Sequence, residues 1–169
     1  FYVGERVPVD ALALLHSVLI IVIFPISAGV FLNHFFKNAS KRLNDISPFI
    51  SVLFIILIVG FILSQNRETI ISNWRVLIGS VLFLHIGGFS LGYLFAKLLK
   101  FKEKSCQTVS IEVGMQNSGL GAALASKHFT TLPLAIVPCA VSAVTHCILG
   151  SVLAAYWRNQ SIKKEGLDI

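Results

Sequence analysis

Long apolar stretches, separated by short segments that carry charge, asparagine, serine or proline, follow one another along the sequence. Each is about as long as the 20 residues that a helix needs to cross the hydrocarbon core of a bilayer. The stretches lack the alternation of a barrel strand, and in lipid only helices and closed barrels satisfy the backbone. The pattern therefore predicts five transmembrane helices, over residues 9–36, 47–64, 75–99, 106–127 and 132–157.

Composition favours the bilayer over water as the solvent of these stretches. Apolar residues make up 55% of the 169 residues, and only 13% are charged. A soluble protein of this size would have to hide every stretch in one small core. Since the sequence shows no repeats, low-complexity segments or Gly/Ser linkers, residues 1–169 are expected to form a single all-α membrane domain. The chain starts at Phe1 and its single methionine is Met115, so we expect a fragment or a processed product.

The positions of lysine and arginine predict an orientation, because basic residues are enriched in cytoplasmic loops. Ten of them fall on the side of the C-terminus and four on the other side. The C-terminus, with a solvated tail over residues 158–169, is therefore predicted to be cytoplasmic and the N-terminus external. This asymmetry explains the net charge of +6, so no nucleic-acid partner is predicted. Five spans with ends on opposite sides are typical of one half of an inverted-repeat transporter.

The fourth stretch carries a polar, glycine-rich insert from Glu112 to Gly121. A carboxylate near the bilayer centre costs about 2.5–3.5 kcal/mol on insertion scales, so it normally faces a cavity, a partner or an ion. The glycines lower the cost of interrupting the helix, and an interruption frees backbone carbonyls. Carboxylate, amide and carbonyl oxygens form the hard shell that a sodium ion prefers. We therefore predict a helix broken near 114–118, with Glu112 and Gln116 as sodium ligands that share one face if the helix continues.

Asn117 and Ser118 are well suited to cap a second half-helix, whose positive end would stabilise an anion. The alternative interpretation is that the glycines only permit close packing and the polar groups only hydrogen-bond between helices. Interhelical hydrogen bonding is also the expected role of His16 and His85. Pro25 and Pro138 are expected to interrupt the first and fifth spans.

Several motifs in their order and spacing match one known family. They are Pro25 with Gly29, His85 to Tyr93, Ser110 to Leu124, His128-Phe129, Pro133, Pro138, His146, Gly150 and Ala155-Tyr156-Trp157. With these motifs the chain resembles the bile acid:sodium symporter family. The resemblance implies a ten-helix fold of two inverted five-helix repeats, in which this chain supplies helices six to ten. The N-terminal five-helix half would then be a necessary partner.

The resemblance also implies individual roles. Sodium would be bound by Glu112, by Gln116 and by the backbone carbonyls of Val113 and Met115. Asn117 and His146 would face the substrate cavity, and further sodium ligands would come from the other repeat. Cys147-Ile148-Leu149-Gly150 replaces the Asn-Ile-Ser-Gly common in bacterial members, which makes the cavity wall less polar.

The favoured function is sodium-coupled symport of an organic anion, such as a bile-acid-like, steroid or small carboxylate solute, by alternating access. No cofactor and no enzymatic reaction are predicted, and Na⁺ is the coupling ion. One alternative is an intramembrane serine protease that uses Ser118 and His146, although Glu112 would then have no role. Another is an ion channel or a regulatory membrane subunit, with Glu112 as a filter carboxylate. Similarity to bacterial members favours a bacterial inner membrane, and the plastid envelope is the alternative.

Overall fold

The computed structural model describes residues 10–164, except for the side chains of residues 37–42, 133 and 163–164. Secondary structure in this part of the chain is helical, so the all-α prediction is confirmed there. The helices are α1 (Ala11–Phe35), α2 (Lys37–Gln65), α3 (Arg67–Leu98), α4 (Glu103–Gly114), α5 (Ser118–His128) and α6 (Ile136–Lys164), with a 3₁₀ turn at Pro133–Ala135.

Four segments within the described residues are helical, long and apolar enough to cross a membrane. They are Ala11–Phe35, Leu43–Gln65, Arg67–Leu98 and Ile136–Ile162. Helices α4 and α5 have only 12 and 11 residues, and each alone is too short for a bilayer. Many large apolar side chains of α1, α2, α3 and α6 are exposed in this chain, as expected where lipid or other membrane helices cover them. The chain is thus a multi-pass membrane protein.

Three helices extend by seven or more residues beyond the apolar stretches that predicted them. Helix α2 begins at Lys37 and α3 at Arg67. Hydropathy did not predict these starts, because it marks only the part of a helix that lies in lipid. Helix α3 bends at Asn73, whose backbone leaves the helical region (φ −116°, ψ 15°). Helix α6 continues to Lys164, so residues 158–164 of the predicted tail are helical. Residues 165–169 of that tail and the predicted first residue of span one, Val9, lie outside the described residues.

The two prolines singled out from the sequence have different effects. Helix α1 contains a π-helical turn, Leu19–Ile23, which ends two positions before Pro25. Pro25 has no N–H to donate, and in a regular helix its ring would meet the Ile21 carbonyl. The wider turn accommodates the ring without ending the helix. Pro138 is the third residue of α6, where a backbone N–H has no partner within the helix, so it does not interrupt α6.

The described chain forms two compact units, residues 10–66 with 119–137 and residues 67–118 with 138–164. In the first unit a buried serine joins α1 to the end of α5. Ser17 is 2% exposed, and its hydroxyl donates to the Ala13 carbonyl at 2.9 Å. Its one proton is thus used, so its oxygen accepts from Lys127 Nζ and His128 Nε2, both at 2.9 Å.

In the second unit α3 and α4 pack closely and antiparallel. A Cβ on Gly92 would lie 2.9 Å from Val113 Cβ, and one on Gly88 would lie 3.0 Å from the Val113 oxygen. Small residues spaced four apart allow two membrane helices to approach in this way. The Ser110 hydroxyl also donates to the Phe89 carbonyl at 2.7 Å. These contacts hold the C-terminal end of α4 against α3.

Gly92→Ala tests this close approach. The added methyl group would overpack the contact with α4, and we expect the variant to lose about 1–3 kcal/mol of stability. The matched control is Gly87→Ala on the same helix, where a Cβ would have nothing within 4 Å. Melting temperatures of the detergent-solubilised protein should fall for Gly92→Ala and stay equal or rise for Gly87→Ala. Equal melting temperatures for the two variants would contradict the packing described here.

Ser17→Ala tests the contact between α1 and α5. Removing the hydroxyl takes the acceptor from Lys127 and His128, and we expect a loss of about 1–2 kcal/mol. Ser27→Ala on the same helix is the control, because Ser27 is exposed. The melting temperature should fall for Ser17→Ala. For Ser27→Ala it should hardly change, since an exposed substitution alters the free energy of unfolding by less than about 0.5 kcal/mol.

Candidate functional site

The polar insert coincides with a short non-helical segment, residues 115–117, between α4 and α5. Met115 is extended (φ −88°, ψ 109°), while its N–H still donates to the Ile111 carbonyl at 2.8 Å. The Ser118 N–H donates to the Gln116 carbonyl at 2.9 Å, which closes a tight three-residue turn centred on Asn117. We call residues 115–117 the interruption.

Glycine is required at the last position of α4 for a steric reason. A Cβ on Gly114 would overlap the ring of Phe89, which is itself buried on α3. The ring therefore lies directly against the backbone at the end of α4. Gly150 on α6 has a looser fit, since its Cβ would lie 3.3 Å from Met115 Sδ. The start of the interruption thus contacts both α3 and α6.

A chain of buried hydrogen bonds connects the two sides of the interruption. His85 is 0% exposed, and its Nδ1 lies 2.8 Å from the Gly114 carbonyl. A carbonyl only accepts, so Nδ1 carries the proton. In this tautomer Nε2 accepts from the Ser142 hydroxyl at 2.8 Å, and the Ser118 hydroxyl donates to Ser142 at 3.0 Å. We call the four residues Gly114, His85, Ser142 and Ser118 the bridging chain.

The residues predicted to bind sodium lie at or beside the interruption. The Val113 carbonyl accepts from Gln116 Nε2 at 3.0 Å, which leaves Gln116 Oε1 as an acceptor for another ligand. The side chains of Glu112 and Gln116 are exposed in this chain, and that of Met115 is too. Because α4 ends at Gly114, the two polar side chains do not share a helical face, and Gln116 instead folds back on Val113.

The two residues predicted to bind substrate have different surroundings. Asn117 is exposed at the centre of the turn. His146 on α6 is 7% exposed, and its ring packs edge-on against that of His85, with centroids 5.4 Å apart. His146 Nδ1 is buried without a hydrogen-bond partner among the described residues. Leaving such an atom unpaired costs about 1–3 kcal/mol.

The serine of the protease hypothesis is hydrogen-bonded to Ser142 rather than to His146. Ser118 is buried and donates to Ser142, and the imidazole that accepts from Ser142 belongs to His85. A nucleophilic serine would have to reach both its base and a substrate. Ser142 was not singled out from the sequence, because a single serine in an apolar helix carries no signal of its own. His85 has the interhelical role that was expected of it.

A double-mutant cycle tests the bridging chain. Ser118→Ala and Ser142→Ala remove the same hydrogen bond, so their effects on stability should be non-additive by about 0.5–3 kcal/mol. The control cycle pairs Ser118→Ala with Ser110→Ala, because Ser110 bonds to Phe89 and shares no partner with Ser118. That cycle should be additive within about 0.5 kcal/mol. Additivity in both cycles would argue against the bridging chain.

Comparison with known sequences finds related transporters. Residues 2–73 match the profile of the Sodium Bile acid symporter family. A "Probable sodium/metabolite cotransporter BASS1, chloroplastic" of Arabidopsis thaliana is 46% identical over 160 residues, which cover 95% of this chain and 40% of that protein. The "Uncharacterized sodium-dependent transporter YocS" of Bacillus subtilis is 44% identical over 165 residues, which cover 97% of this chain and 50% of that protein.

A third relative, a "Probable sodium/metabolite cotransporter BASS2, chloroplastic" of Oryza sativa, is 40% identical over 165 residues, which cover 98% of this chain and 39% of that protein. The chain thus spans about half the length, or less, of these curated relatives. The family is one of transporters rather than enzymes. Residues 2–73 thus resemble the sodium bile acid symporter family, and nearly the whole chain is similar to part of these transporters.

Proposed function

We propose that this chain is part of a sodium-coupled symporter that moves an organic anion by alternating access. The observation that carries the proposal is the interruption between α4 and α5, where a carboxylate, an amide and backbone carbonyls lie within five residues, Glu112 to Gln116. Interrupting a membrane helix costs free energy, because backbone groups lose their hydrogen-bond partners. In secondary transporters such interruptions line ion and substrate sites. The names of the relatives, sodium-dependent transporters and sodium/metabolite cotransporters, support the same function.

The proposed ion ligands are all oxygens. They are a carboxylate oxygen of Glu112, Oε1 of Gln116 and the carbonyls of Val113 and Met115. Hard oxygen donors suit a small cation that has lost its water, and the last carbonyls of a helix are free of intrahelical partners. Gln116 already touches the Val113 carbonyl, so two of these groups are adjacent before an ion arrives.

The proposed substrate residues are Asn117 and His146. Asn117 stands at the positive N-terminal end of α5, where a negative group is stabilised. His146 offers a buried ring nitrogen without a partner among the described residues. An anionic solute that reaches both would use the helix end for its charge and the imidazole for a hydrogen bond. A bile-acid-like, steroid or small carboxylate solute has this chemistry.

The proposed whole is a ten-helix transporter in which this chain forms one inverted repeat, helices six to ten. The other repeat supplies the remaining sodium ligands and lines the opposite wall of the cavity. The C-terminus lies in the cytoplasm, as the basic residues indicate. The relatives are chloroplastic and bacterial, so a bacterial inner membrane or a plastid envelope is the proposed location.

Coupling follows from linkage between the two ligands. If sodium at Glu112 and an anion at Asn117 both stabilise the same conformation, each raises the affinity of the other by the same factor. No chemical reaction is needed, since the sodium gradient supplies the free energy. This scheme also requires that neither ligand alone drives the full transition.

Glu112→Gln tests the ion site in the intact protein that carries this segment. The change keeps the shape of the side chain and removes its charge. We expect calorimetry to detect sodium binding by the native protein and to find it weakened by at least tenfold in the variant. Glu68→Gln is the matched control, since Glu68 is an exposed carboxylate in the first turn of α3. Equal sodium binding by the native protein and Glu112→Gln would remove Glu112 from the site.

Uptake into proteoliposomes distinguishes symport from a channel. With pyruvate and a bile acid as probes, a symporter shows saturable uptake in sodium buffer and loses it in potassium or choline buffer. A channel would instead pass current without a solute. Uptake that is equal in sodium and choline would contradict sodium coupling.

A further inference from the structure

Both ends of the interruption depend on the same two residues. Gly114, the last residue of α4, bonds through its carbonyl to His85, and Ser118, the first residue of α5, bonds through its hydroxyl to Ser142. A 2.8 Å hydrogen bond between His85 and Ser142 joins these two contacts. The relative position of the two helix ends is therefore set by one imidazole on α3 and one hydroxyl on α6.

Burial gives this arrangement its stiffness. His85 is 0% exposed, Ser142 6% and Ser118 9%, so water does not compete for their hydrogen bonds. The edge-on contact of His146 with His85 further limits rotation of the imidazole. Each polar group of the bridging chain has a partner with the correct donor or acceptor role. Such a satisfied buried network rigidifies its surroundings.

The segment that the bridging chain holds in place contains or adjoins the proposed ion ligands. Met115 and Gln116 lie within the interruption, and the Val113 carbonyl lies immediately before Gly114. An ion site needs its ligands held within about 0.5 Å of the binding geometry by supporting groups. Supporting groups of metal sites typically change affinity by about 10- to 100-fold when they are removed.

We propose that His85 and Ser142 are positioning residues for sodium, which hold the ends of α4 and α5 at the separation that the ion requires. The inference rests on the proposed function, because it assumes an ion at the interruption. Neither residue touches the ion. His85 fixes the direction of the α4 carbonyls, and Ser142 fixes the start of α5.

The test compares two buried hydroxyls in the intact protein. Ser142→Ala breaks the bridging chain, whereas Ser110→Ala removes a hydroxyl that is equally buried and that bonds α4 to the Phe89 carbonyl. Calorimetry with sodium chloride alone should show a sodium Kd that rises at least tenfold in Ser142→Ala and less than twofold in Ser110→Ala. Ser142→Thr, which restores the hydroxyl, should return the Kd to within threefold of the native value.

A second variant separates positioning from a general loss of stability. His85→Asn keeps a donor near Gly114 but is too short to reach Ser142, so its sodium Kd should match that of Ser142→Ala. Because both changes break the same bridging chain, the sodium Kd of the double variant should exceed that of either single variant by less than twofold. A large further increase in the double variant would overturn the proposal. Melting temperatures measured alongside identify any variant that binds poorly because it is unfolded.

The outcomes also separate this inference from the function on which it rests. Absence of sodium binding by the native protein would overturn both. Sodium binding that disappears in Glu112→Gln but is unchanged in Ser142→Ala would support the proposed sodium site. It would overturn the positioning role of Ser142. Equal weakening in Ser142→Ala and Ser110→Ala would also overturn it, since the effect would then reflect packing in general.

Discussion

The pair of hydrogen bonds made by His85 is the interaction on which the rest of the site depends. One ring nitrogen serves the end of α4, and the other serves Ser142 on α6. Without His85, a helix would end inside the protein with a carbonyl that has lost its partner, and that loss costs about 1–3 kcal/mol. With His85, a broken helix becomes a defined structure, because its ends are held by neighbouring helices rather than by the chain between them.

Close packing of α3 and α4 makes this hydrogen bonding possible. Gly88 and Gly92 bring the two backbones together, and Gly114 leaves room for the ring of Phe89. Side chains at these positions would move α4 outward and lengthen the bond from His85. The glycines and the buried polar chain are therefore parts of one arrangement, so the packing interpretation and the functional interpretation of the insert are compatible. Packing positions the backbone that the proposed ion site uses.

The proposed site joins groups of very different exposure. Glu112 and Gln116 are exposed in this chain, whereas the residues that hold the interruption are buried. Ligands that must accept and release an ion gain from access, and the groups that position them gain from the absence of water. The serine of the protease hypothesis belongs to this buried set, where its hydroxyl donates to Ser142.

Local features of the sequence determined the long apolar helices and the place where α4 ends. Hydropathy identified the four long apolar helices, and the glycines beside Glu112 indicated an interruption at 114–118, where the structure has non-helical residues at 115–117. Hydropathy could not place the helix starts at Lys37 and Arg67, because a helix continues outside lipid without apolar residues. Only the tertiary structure decided that Pro138 lies in a first turn and that His85 pairs with Ser142, 57 positions away. Such a contact depends on how helices pack, and no local pattern around a single serine encodes it.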